Sequence, residues 1–100
     1  MKIVMVEDEY MVAKRLKRFI CNLCDISPQA IRHFLTLDDA RDYLSEHGID
    51  VLFLDLNLNG KDGFELLKEQ ISASFHTIVV SANTDRALEA FEYGVLDFVA

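Results

Sequence analysis

Long hydrophobic runs are missing from this 100-residue chain. Its apolar stretches stop at four or five residues, far below the roughly 20 needed to span a bilayer. Lys2 leads into a strand-like segment, not into the apolar core of a signal peptide. The segment is therefore expected to be soluble and cytoplasmic. Positive charge is also scarce: ten Lys and Arg face seventeen Asp and Glu, a formal charge of −7. That balance repels phosphate backbones and anionic lipid surfaces, so neither nucleic acid nor membrane is an expected partner of this chain. Cysteine is limited to Cys21 and Cys24. A redox C-x-x-C wants its first thiol at a helix N-terminus, where the dipole favours thiolate, whereas this pair falls near the end of the first expected helix. A zinc site wants four ligands. No second C-x-x-C exists, and His33, His47 and His76 are scattered singly. The cysteines read as small, half-buried helix residues, and the histidines as surface or packing residues.

What is present suits a single domain with one core, since 51% of the residues are hydrophobic. Short apolar runs recur at Ile3–Val6, Val51–Leu54, Ile78–Val80 and Phe98–Ala100, as in parallel strands covered on both faces. A helix is expected over Tyr10–Leu23, with Val12, Leu16, Phe19, Ile20 and Leu23 on one stripe. After the break at Ser27-Pro28, Ala30–Leu35 can form a weaker edge strand. Thr36 with Asp39 resembles a capping box, and Gly48 can close that helix in a left-handed conformation. Residues 56–63 read as a loop, Phe64, Leu67 and Ile71 as another helical stripe, and Thr84 as the cap of a helix ended by Gly94. The order βαβαβαβαβ implies a parallel sheet with helices on both faces. Ending on a strand leaves one face short of a helix, so the natural chain is expected to continue past Ala100.

Ligands of open α/β sheets bind beyond the carboxyl ends of the strands. Three sequence-distant features fall on that edge: Glu7 and Asp8 after the first strand, Asp55 after the third, and Ser81 after the fourth. Adjacent strands lie about 5 Å apart, so if these strands are neighbours the carboxylates and the hydroxyl share one pocket. Crowded carboxylates need a cation, and hard oxygen ligands suit Mg²⁺ with a phosphate oxygen. An aspartate can attack phosphorus to give an acyl phosphate while a metal neutralises the transferring group. Asp55 is expected in the most enclosed position and is the candidate nucleophile, with Glu7 and Asp8 on the metal and Ser81 donating to a phosphoryl oxygen. Each feature also has an ordinary reading: an acidic helix start, or a turn residue. Their coincidence at corresponding strand ends is what favours chemistry.

The strings Val4-Met5-Val6-Glu7-Asp8-Glu9, Val51-Leu52-Phe53-Leu54-Asp55-Leu56, Asp62-Gly63-Phe64-Glu65-Leu66 and Val79-Val80-Ser81-Ala82 resemble the successive signatures of response-regulator receiver domains. The likeness runs nearly end to end, and residues 87–98 also resemble receivers attached to LytTR-type DNA-binding domains. The resemblance implies a three-layer α/β/α fold with a doubly wound, parallel, five-stranded sheet in the flavodoxin-like order 2-1-3-4-5. Here the last helix would be missing, and 1–100 would be an incomplete receiver domain. It implies phosphorylation of Asp55 by a sensor histidine kinase, with Mg²⁺ held by Glu7, Asp8, Asp55 and the backbone carbonyl of Asn57. Ser81 and the aromatic Phe98 would switch the face around the fourth helix and fifth strand, a face through which the phosphorylated form would homodimerise. Physically this is a population shift driven by the new dianionic group. The output would be transcriptional, with DNA bound by a separate domain and this chain acting as an acceptor and not as an enzyme.

Three departures from the family pattern stand out. The family's lysine after the fifth strand would follow Ala100, Asn59 stands where proline is usual, and Glu7 replaces the commoner aspartate. Two other functions share parts of the pattern. A haloacid-dehalogenase-type phosphohydrolase would need Asp-x-Asp, whereas this chain has Asp55-Leu56-Asn57. A pseudo-receiver would keep the fold and signal by association alone.

Overall fold

Four consecutive apolar residues, Ile3–Val6, form strand β1, and all four are buried. A strand sends successive side chains to opposite faces, so β1 must be covered on both. The computed structural model, which describes residues 1–58, 60–69, 74–81 and 84–99, shows how this is done. Helix α1 (Tyr10–Cys24) follows β1, then β2 (Ile31–Phe34), α2 (Leu37–Glu46), β3 (Val51–Leu54), α3 (Phe64–Glu69), β4 (His76–Val80), α4 (Ala87–Glu92) and β5 (Asp97–Val99). The five strands form one parallel sheet in the order β2-β1-β3-β4-β5. This is the expected 2-1-3-4-5 order. Ile3 pairs with both Ile31 and Val51, and Leu54 pairs with Val79.

Alternation along β1 and β3 splits the core in two. Val4, Val6, Leu52, Leu54 and Val79 face Leu37 and Ala40 of α2, Phe64, Leu66 and Leu67 of α3, and Ala90 of α4. Ile3 and Met5 face the other way, onto Ala13 and Ile20 of α1. Helices therefore lie on both faces, in three layers. Burying a Leu or Phe side chain stabilises by roughly 1.5–3 kcal/mol, so both layers depend on residues read from the apolar runs.

Several local expectations are corrected. Phe19 and Leu23 of the predicted α1 stripe are 62% and 71% exposed. They border a groove of about 260 Å³ with Phe53, Ile78, Val80 and Val99, because α1 lies over the β1 side of its face. Residues 56–63 are not wholly loop: Asn57–Leu58 pairs antiparallel with Lys61–Asp62, and Gly60 takes φ +80° between them. Thr36 does accept from the Asp39 N–H at 3.2 Å. Gly48, however, is not left-handed; α2 closes at an extended His47 whose N–H donates to the Tyr43 carbonyl and whose ring stacks on Tyr43. The left-handed closure occurs instead at Asp25 after α1 and at Gly94 after α4. Thr84 begins a 3₁₀ turn, Thr84–Arg86, and Arg86 immediately precedes α4. The readings that involve Asn59, Ile71 and Ala100 lie outside the described residues.

Leu52 is fully buried and Leu88 is 82% exposed. Urea unfolding is expected to show Leu52→Ala destabilised by about 2–5 kcal/mol, and Leu88→Ala within about 0.5 kcal/mol of wild type.

Candidate functional site

The backbone ladder assembles the site. The Asp55 N–H donates to the Val6 carbonyl at 3.0 Å, and the Glu7 N–H donates to the Phe34 carbonyl at 3.1 Å. The first residues past β1 and β3 are thus locked side by side at the carboxyl edge of the sheet. Glu7, Asp8 and Asp55 each place a carboxylate oxygen within 4.8 Å of the others. His33 Nε2 lies 2.8 Å from the Glu7 carbonyl oxygen, and since a carbonyl only accepts, Nε2 carries the proton and holds the β1 end in place.

Asp55 was expected to be the most enclosed acid. Glu7 is, at 5% exposure, while Asp8 and Asp55 are half-buried. The reason is that β1 is covered on both faces along its whole length, whereas Val51 and Phe53 of β3 are only partly covered. Burial pushes the Glu7 carboxyl up from its ordinary 4.5 to about 7. The Glu9 N–H, 3.1 Å from Glu7 Oε1, pulls the other way, and the charges of Asp55 and Asp8 push further up. Asp55 is also raised, first by burial. It is held back by the Asn57 N–H, which donates to Oδ1 at 3.2 Å, raised by the Asp8 charge, and lowered by hydrogen bonds from Glu7 and the Leu56 N–H. Burial and mutual charge thus both favour the protonated form of the cluster.

The other predicted residues fall on the same edge with different degrees of involvement. Ser81 is buried and directly follows β4, where its N–H donates to the Val99 carbonyl at 2.9 Å. Asn57 is exposed, two residues past Asp55, at the start of the small ribbon. Phe98 is half-buried in β5 opposite Val79 and packs against the core, as a terminal-strand aromatic does by default.

Gly63 and Arg86 carry no role legible in the sequence. The Gly63 N–H donates to the Leu56 carbonyl at 2.8 Å, and a Cβ there would lie 2.5 Å from the Asp55 carbonyl oxygen. Only glycine allows this approach. Arg86 reaches both carboxylate oxygens of Asp62, at 3.0 Å each, and holds the Asp62 carboxyl below its usual range.

Residues 3–100 match the family described as response regulator receiver domain. The chain belongs to that family. A receiver domain accounts for the sheet order and for the acids at the strand ends together. Relatives include the transcriptional regulatory protein YpdB of Escherichia coli strain K12, 30% identical over 99% of this chain and 41% of that protein. The sensory transduction protein LytR of Streptococcus agalactiae is 26% identical over 99% of this chain and 41% of its own length. This receiver domain thus spans about two fifths of the curated relatives it matches. Among solved structures, a response regulator protein from Burkholderia pseudomallei, with a phosphorylated aspartic acid, calcium ion and citrate, shares the fold at a TM-score of 0.81. It is 17% identical, over 99% of this chain and 58% of that one. Among the described residues, no helix is long and apolar enough to cross a membrane.

The raised Glu7 carboxyl sets a pH dependence. Above about pH 4.5 an unfolded glutamate ionises, while folded Glu7 holds its proton until about pH 7. The folded state then binds more protons, so stability falls as pH rises between those values, and the raised Asp55 carboxyl adds to the fall. Thermal unfolding in chelator should show a midpoint that drops across this window, with a shallower drop in Glu7→Gln.

Proposed function

We propose that this receiver domain accepts a phosphoryl group on Asp55 from the phosphohistidine of a sensor histidine kinase, in a Mg²⁺-dependent reaction, and thereby switches an output. The observation that carries the reading is the three-carboxylate cluster, with oxygens within 4.8 Å and with Glu7 raised to about 7. Such a cluster is unfavourable alone and is suited to a hard divalent cation. Glu7, Asp8, Asp55 and the Asn57 carbonyl would hold Mg²⁺, which supplies charge neutralisation for the cluster and the transferring group.

The chain's own residues carry the rest. Ionised Asp55 uses one carboxylate oxygen to form the new O–P bond as the donor's P–N bond breaks and its electron pair returns to the imidazole. The ladder bond from Asp55 to Val6 and the Asn57 N–H on Oδ1 fix the orientation of the carboxylate. Ser81, at the adjoining strand end, donates its hydroxyl to a phosphoryl oxygen. Phe98, at the β4/β5 junction, turns with it to reshape the α4–β5 face. Exposed Leu88, Phe91 and Leu96 give that face the apolar surface a homodimer needs. The domain acts as a phosphoacceptor that loses its phosphate by hydrolysis, not as a turnover enzyme. In the cytoplasm of its cell it controls transcription, with DNA contacted by a separate output domain.

Incubation with acetyl phosphate and Mg²⁺, followed by intact mass spectrometry, should give a single phosphate adduct that disappears in Asp55→Ala and in chelator. Steady turnover would instead indicate a phosphohydrolase. No adduct, in a chain extended past Ala100 as well, would indicate a receiver fold that signals by association alone.

A further inference from the structure

The reaction assigned to Asp55 uses neither Arg86 nor Asp62, yet their contact is the best-formed ion pair among the described residues that joins two strand-end segments. Arg86 Nη1 meets Asp62 Oδ1 and Nη2 meets Oδ2, both at 3.0 Å, the two-pronged arrangement that gives a guanidinium–carboxylate pair its directionality. The guanidinium also lies over the ring of Phe64, 4.0 Å from its centroid, a favourable cation–π distance. Phe64 is fully buried and packs against Tyr93 beyond α4. The charge is thus clamped between a carboxylate and a rigid ring, with Glu89 a further 3.8 Å contact. Partly exposed pairs are usually worth little; a bidentate pair backed by a buried ring is better ordered than most.

The other end of the clamp bears on the nucleophile. Asp62 Oδ1, besides meeting Arg86, accepts the Phe64 N–H at 3.0 Å, which closes the turn around Gly63. Gly63 in turn donates to the Leu56 carbonyl and lies so close to the Asp55 carbonyl that no Cβ fits. The sequence of contacts runs from Arg86 to Asp62, through the Gly63 turn, to the backbone of Asp55 and Leu56. At its start stands the 3₁₀ turn that leads into α4.

We propose that Arg86 is a positioning residue for phosphoryl transfer: through Asp62 and the Gly63 turn it holds the Asp55 backbone in register with the β1 acids, and it ties that register to the start of α4. The pair spans 24 residues of sequence and is the described ion pair linking the segment after β3 to the segment after β4. A shift of the Asp62–Gly63 turn is passed to the strand end, because the Gly63 N–H is bonded to the Leu56 carbonyl and the space between Gly63 and the Asp55 carbonyl is too small for a Cβ. Orientation losses of this kind act on rate in transfer reactions. This inference rests on Asp55 being the phosphoacceptor.

The test is a double-mutant cycle on the rate of adduct formation from acetyl phosphate at saturating Mg²⁺, well below each variant's thermal midpoint. Arg86→Met and Asp62→Asn should each slow the rate about fivefold or more, and the double variant should be no slower than either single one. Arg86→Lys keeps the charge but loses the two-pronged contact, and should fall between Arg86→Met and wild type. It also keeps the test available if Arg86→Met does not fold. A lowered midpoint with an unchanged rate in Arg86→Met and Arg86→Lys would show a structural role only and overturn the proposal, as would fully additive slowing. Wild type that forms no adduct would overturn the assignment of Asp55 and this inference together, whereas an active wild type matched by its Arg86 variants overturns this inference alone.

Discussion

Backbone hydrogen bonds lock Glu7 and Asp55 side by side, and Asp8 follows Glu7 directly into the same cluster. Asp55 donates to Val6, and Glu7 donates to Phe34, so the parallel ladder continues one residue past the apolar strands and brings the acids with it. Each apolar residue buried in β1 and β3 supports the sheet, and the sheet fixes the acids within 4.8 Å of one another. Folding energy is in this way stored as electrostatic strain at one edge. Burial first, and the charges of Asp55 and Asp8 after it, hold the Glu7 carboxyl at about 7, a value at which a proton and a divalent cation compete near neutrality.

The site is also braced from the side remote from β1. Gly63 contacts the Asp55 backbone, its turn is closed by Asp62, and Asp62 is gripped by Arg86 at the entry to α4. Asp55 therefore belongs to two frames, one made by the sheet and one made by the loops. The first sets where the carboxylate is. The second links that position to α4 and to the exposed Leu88 and Phe91 on its surface, the surface proposed above for the output.

The alternation of apolar runs and helical stripes made the sheet, its layers and the location of the site legible in sequence. Glu7, Asp55 and Ser81 could be placed on one edge because each follows an apolar run directly, and Asp8 because it follows Glu7. The relative burial of Glu7 and Asp55 could not be read, because it depends on how far each strand is covered by helices packed on it from elsewhere. Phe19 and Leu23 have helical spacing suited to burial, yet α1 sits over only part of its face. Gly48 had the residue type for a left-handed closure, but the ring and N–H of His47 supplied the termination instead. The Arg86–Asp62 pair carries no local signal at all, since its partners meet only after the sheet is built.

The most direct measurement is calorimetric titration of the wild-type chain with Mg²⁺ at pH 7 in buffers of different ionisation enthalpy. If confinement of the carboxylates is what makes the site, binding should expel on the order of half a proton per chain, and the release should vanish in Glu7→Gln. Binding without proton release, or no binding at the acidic cluster, would contradict the account.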